Sequence, residues 1–175
     1  PHSTNLSTRQ LVNSSTGTTN SSTKIINLPH NFDDYYGYRQ LRHGNLHGSA
    51  VYSKSFDTEK KPGKRYFLQL EGVGTYATVN LNGTVYPKEL VGRTVFTLDI
   101  TDALRNGRNE IKIDVDHPAM QTESPWVCGG CSSEWGFSEG SQPLGIFRPV
   151  SLIETDEVRI EPFGVHIWHN DRADS

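Results

Sequence analysis

The stretch Thr75–Gly83, TYATVNLNG, decides the fold. Ala77, Val79 and Leu81 alternate with polar or mixed neighbours, the period of two at which strand side chains point to opposite faces. Asn82-Gly83 follows directly. Both central positions of a type I′ turn need a positive φ, which Asn and Gly adopt at least cost. A strand running into a tight hairpin is predicted, with residues 84–86 returning as its short partner.

The same period recurs on both sides. Residues 49–56 (SAVYSKSF) put Ala50, Tyr52 and Phe56 on one face, and residues 65–72 (RYFLQLEG) do so with Tyr66, Leu68 and Leu70. Residues 94–100 offer Phe96, Leu98 and Ile100, and residues 110–116 offer Ile111, Ile113 and Val115. Segments 148–154 and 157–161 are further candidates. Thr101–Arg105 predicts one helical turn capped by Thr101 and ended by Asn106-Gly107. Short strands, glycine-bearing turns and no long amphipathic helix predict an all-β antiparallel sandwich or jelly roll.

Composition narrows the function classes. The 175 residues suit one domain. The formal net charge of -3 shows no basic excess suited to nucleic acid. Mean hydropathy is -0.58, and no apolar run approaches the roughly 20 residues that span a bilayer. The chain starts at Pro1, so a segment upstream has been removed, as a leader or as a boundary; export to a periplasmic or extracellular space is the expectation. Residues 1–24 are rich in Ser, Thr and Asn and poor in large apolar side chains, which predicts a loosely held arm with room for one edge strand. Asn5, Asn13, Asn20 and Asn82 each open an N-x-[S/T] sequon, which such a composition also produces by chance.

Residues 117–144 form the one long irregular stretch, and loops beyond about 12–15 residues are uncommon unless functional or disordered. Trp126, Trp135 and Phe137 argue against simple disorder. The same stretch carries Cys128-Gly-Gly-Cys131. A thioredoxin-like site would need a βαβ setting, and a zinc site two more ligands. A local disulfide or two free thiols remain. In a second polar loop, residues 37–49, His43, Asn45 and His47 suit local hydrogen bonding better than metal or sugar ligation. Neither a metal nor a cofactor is expected.

Four segments in order carry a resemblance: INLPHNF (26–32), GVGTYATVNLNG (72–83), FTLDITDALRNGRNEIKIDVD (96–116) and GIFRPVSLIETDEVRI (145–160). Together they resemble the N-terminal domain of glycoside hydrolase family 2, the family of β-galactosidases, β-glucuronidases and β-mannosidases. The resemblance implies a galactose-binding-domain-like jelly roll over residues 25–165. It also implies that residues 166–175 lead toward an immunoglobulin-like domain and a (β/α)8 barrel, the intramolecular partners of this sandwich. Glycoside hydrolysis needs two carboxyl groups about the scissile bond, and in the family both are barrel glutamates, so no catalytic residue is expected here. Asn109-Glu110 imitates the family's Asn-Glu acid/base pair but opens a predicted strand.

The implied role is an accessory domain of a β-glycosidase such as a β-galactosidase, with carbohydrate as the partner of the full-length enzyme. Glu134 and Glu139, with the ring of Trp135 between them, are the candidate sugar contacts, since carboxylates accept hydroxyls while rings stack on sugar C–H faces. Arg148, Cys128 and Cys131 are candidate structural residues. The alternative is an autonomous carbohydrate-binding module, which should present an exposed aromatic platform. An accessory domain should instead expose an apolar patch.

Overall fold

A computed structural model describes residues 2–5, 10–16, 22–32, 48–117, 143–161 and 164–168. Every regular element among them is a strand: β1 (His2–Asn5), β2 (Gln10–Thr16), β3 (Ser22–Ile26), β4 (Gly48–Thr58), β5 (Lys64–Leu70), β6 (Val73–Leu81), β7 (Thr84–Val85), β8 (Glu89–Gly92), β9 (Phe96–Asp99), β10 (Gly107–His117) and β11 (Val150–Asp156). One sheet has the order β1-β11-β5-β9, and the other β3-β2-β4-β10-β6-β7, with β8 also paired to β6. All of these pairings are antiparallel. The result is a β-sandwich.

The period of two places the core. Along β10, Ile111, Ile113 and Val115 are buried while Glu110, Lys112 and Asp114 face out. Opposite them in register lie Leu81, Val79 and Ala77 of β6, and Tyr52 and Ala50 of β4. The other sheet answers with Tyr66, Leu68 and Leu70 of β5 and Val150 and Leu152 of β11, all in the same buried cluster. Burying such a side chain contributes about 1.5–3 kcal/mol, so the facing rows hold the sheets together. The hairpin turn forms as predicted, with φ of 55° at Asn82 and 94° at Gly83.

Several expectations change. Residues 1–24, expected as a loose arm, contribute β1, β2 and the start of β3. Pairing of β1 with β11 and of β2 with β4 uses backbone groups, which a Ser/Thr/Asn-rich chain supplies as well as any other. The turn after β9 closes through Leu104 N–H to Ile100 O at 2.9 Å, but Thr101 is not its cap. Asp99 Oδ1 accepts from the Thr101 N–H at 3.0 Å, while Thr101 Oγ accepts from the Tyr66 N–H at 2.9 Å and so ties the turn to β5. Residues 157–161 are no strand. Phe67 breaks the β5 alternation and is buried at 3% exposure, because the Arg159 guanidinium stacks 3.3 Å from its ring centre on the sheet's outer side. β8, too short and too mixed in character to show a period, was not predicted. No helix among the described residues is long and apolar enough to cross a membrane.

Candidate functional site

At one end of the sandwich the segment Leu28–Phe32 lies beside Pro143–Phe147. His30 N–H donates to Ile146 O at 2.8 Å and Phe32 N–H to Leu144 O at 3.1 Å, with Leu144 N–H returning to Asn31 Oδ1 at 3.1 Å. Gly74, near the start of β6, donates to Gly145 O at 3.0 Å and joins both segments to the larger sheet. The approach is close enough to exclude side chains. A Cβ on Gly74 would collide with the Pro143 carbonyl.

Tyr52 of β4 locks this corner from below. It is buried at 1% exposure, and its hydroxyl accepts from Ile146 N–H at 3.3 Å and lies 3.0 Å from His30 Nδ1. An N–H can only donate, so the hydroxyl proton is satisfied when Nδ1 of His30 accepts it. That arrangement turns the protonated Nε2 of a neutral imidazole away from Tyr52. Burial drives the Tyr52 hydroxyl well above the usual phenol range, and the Ile146 N–H offsets this only in part. At the same end, buried Thr75 and His117 meet through Oγ and Nδ1 at 2.8 Å.

Outside this corner lies an open cavity of about 490 Å³, lined by His30, Asn31, Arg93, Pro143, Phe147 and Arg148. Arg148 is exposed and donates through Nη1 to the Arg93 carbonyl at 3.2 Å, with its stem over Gly72. Two guanidinium groups, an imidazole, an amide and a ring edge can hold a hydroxylated or anionic ring by hydrogen bonds and stacking. Its described lining contains no carboxyl group, so it offers no acid/base pair for glycoside cleavage.

Among the sequence-predicted residues, only Arg148 falls in this lining. Glu134, Trp135, Glu139, Cys128 and Cys131 lie outside the described residues, as do Trp126, Phe137, His43, Asn45 and His47. Asn109 and Glu110 are at the far end of the sandwich. Glu110 is exposed, and Asn109 is buried at 1% in hydrogen bonds to backbone and to Asn82. Sequence reasoning missed His30, Asn31 and Arg93 as lining residues. The available signal was the break of period after Ile26, where Leu28-Pro29 interrupts the strand.

A family model described as glycosyl hydrolase 2 galactose-binding domain-like matches residues 11–135. A β-glucuronidase of Formosa agariphila is 29% identical over 149 residues, covering 78% of this chain and 15% of that protein. Another protein of the same organism is 26% identical over 154 residues, 84% of this chain and 13% of its own length. The chain thus spans about a seventh of the curated relatives it matches. Among solved structures, the FMN-binding β-glucuronidase of Facaelibacterium prausnitzii L2-6 superposes with a TM-score of 0.70 at 23% identity, over 93% of this chain and 24% of that one. The β-D-mannosidase of Dictyoglomus thermophilum gives 0.66 at 17%, over 92% and 23%. At these identities the structures speak for the fold alone.

Proposed function

The chain belongs to the glycosyl hydrolase 2 galactose-binding domain-like family, and from that premise we propose that it is the accessory sandwich of a longer β-glycosidase, packed against the parts that carry out hydrolysis. The observation that carries this reading is an apolar strip near the C-terminal end. Val158, Ile160, Val165, Ile167 and Trp168 are five of the seven exposed large hydrophobic side chains among the described residues, and Ile167 and Trp168 stand 92% and 85% exposed. Scattered apolar residues are ordinary on a surface; five within eleven residues are a concentration that a packing partner would cover. Trp168 stacks on His166, with ring centres 6.2 Å apart, and offers one ring rather than an aromatic platform for glycans.

For the sugar, the reading moves from a β-glycosidase with β-galactosidase as its example to a β-glucuronide. Relatives of this chain carry that name, and Arg93 and Arg148 beside the cavity suit a carboxylate better than a neutral sugar.

The full-length protein tests both parts. Replacing Ile167 and Trp168 by Ser should lower its thermal midpoint and its kcat/KM on p-nitrophenyl β-D-glucuronide. Unchanged stability and kinetics would remove the docking role. Faster turnover of the β-galactoside than of the glucuronide would overturn the sugar assignment. Millimolar or tighter binding of neutral glycans by this chain alone, measured by calorimetry, would replace the accessory role with that of an autonomous binding module.

A further inference from the structure

A second concavity, of about 620 Å³, lies at the other end of the sandwich, over the outer face of β10 beside the Asn82-Gly83 turn. Eight residue steps along β6 separate Gly74 from Asn82, roughly 26 Å at strand rise. Nothing in the accessory role requires this basin.

Its floor is rigid. Asn82 Nδ2 donates to Ala103 O at 2.8 Å and to Asn109 Oδ1 at 2.7 Å, while its Oδ1 accepts from Glu110 N–H at 2.9 Å. Asn109 Nδ2 donates to the carbonyls of Arg105 and Gly107, both at 2.9 Å. Arg105 is held over this floor by Nη2 donating to Asn82 O at 3.2 Å. Both amides are therefore committed to the fold, and they fix where the charged rim stands.

The rim is cationic. Arg105, Arg108 and Lys112 face the basin with one carboxylate, Glu110, whose nearest approach to Lys112 is 3.7 Å. Among the lining residues the balance is three positive groups to one negative, with the exposed Asp57 of β4 opposite Arg108 in register, in a chain of net charge -3. The described residues supply no hydrogen-bond or ion-pair partner for Arg108. Asn80 adds an amide whose oxygen already accepts from Gly83 N–H at 3.0 Å, leaving its two N–H groups to point outward.

We propose that this basin is an oxyanion-binding site for an acidic polysaccharide, taking one carboxylate or sulfate ester among Arg105, Arg108 and Lys112. A planar guanidinium matches such a group with paired hydrogen bonds. The outward face of β10 also limits the ligand. Past Lys112 it continues with Asp114 and Asp116, the latter paired with Lys88 at 2.6 Å. A nucleic acid, with one charge per about 1.7 Å of duplex, would be driven onto those carboxylates. A polysaccharide spaces its charges with hydroxyls, which donate to Glu110 and Asp114.

Affinity electrophoresis of the protein through gels containing polygalacturonate, dextran sulfate, neutral dextran or duplex DNA tests the site. Retardation by polygalacturonate or dextran sulfate, absent with neutral dextran, is expected, and the arm that retards more identifies the carboxylate or the sulfate ester. The exposed double variant Arg108→Ser/Lys112→Ser should lose about tenfold in apparent affinity with an unchanged thermal midpoint. A control, Lys61→Ser/Lys88→Ser, removes the same charge elsewhere and should leave retention intact. Equal loss in both variants, unaltered retention in the first, or DNA retarding as strongly as the acidic glycans would each overturn the proposal.

Discussion

The hydroxyl of Tyr52 occupies the place where a side chain on Gly145 would have to go. One residue lies inside β4 and the other, five residues before β11, bridges to Gly74 of β6, so a core tyrosine and a backbone segment share a single packing constraint. Gly145 has φ +96°, and a Cβ there would also stand 3.0 Å from the His30 carbonyl. Gly145→Ala is expected to cost roughly 2–4 kcal/mol, from positive-φ strain together with overpacking. Urea unfolding of the variant checks this; a loss below 1 kcal/mol would show that the corner relaxes freely.

Tyr52→Phe keeps the packing and deletes the hydroxyl. It leaves a buried Ile146 N–H without its acceptor, for an expected loss of about 1–3 kcal/mol. The variant also carries a pH signature. Burial raises the folded-state value of Tyr52 above that of an unfolded tyrosine, near 10. Its contribution is then fully present below that pH and is lost as pH rises beyond it. The alkaline fall in stability of the parent protein should be shallower in the variant, as read by denaturation midpoints between neutral pH and pH 11.

Asp99 has the opposite sign. Burial works to raise its carboxyl, but hydrogen bonds from Thr101 and Arg65 outweigh this and hold it below the ordinary aspartate range. The stability it contributes is present above the unfolded value, near 3.9, and disappears as pH falls through the folded value. Asp99→Asn should flatten the acid limb of the stability curve below about pH 4 and lower stability at neutral pH by the same amount, a small one because the Arg65 pair is well exposed. An unchanged acid limb would assign acid sensitivity to other carboxylates.

Asn109 and Glu110 are neighbours with opposite expectations. Asn109→Ala removes a buried amide that receives the Arg105 N–H and serves two carbonyls, at an expected cost of about 2–4 kcal/mol. Glu110→Gln changes an exposed side chain and should stay within about 0.5 kcal/mol. Thermal melts of the two variants measure the contrast directly.

Much of the sandwich was legible because strand period is local information. Ala77, Val79 and Leu81 declare their shared face from spacing alone, and Asn82-Gly83 declares its turn from φ preferences alone. β2 was hidden by the same logic. Its polar side chains carry no period, and its place rests on backbone pairing with a strand far along the chain. Family membership was legible too, since four motifs in order survive without any knowledge of contacts.

The candidate site belonged to the other kind of information. Tyr52 and Ile146 are 94 positions apart, and Asn31 and Leu144 are 113 apart. Sequence could nominate Arg148 but not the His30, Asn31 and Arg93 that line the cavity with it. The basin beside Asn82 likewise needed β6 and β10 in register to bring Asn80 next to Lys112. From sequence alone came what each residue prefers within a few neighbours: period, turn and motif. Tertiary structure alone decided which distant groups meet, because long-range contacts form only once the buried faces have paid their loop-closure entropy and set the register.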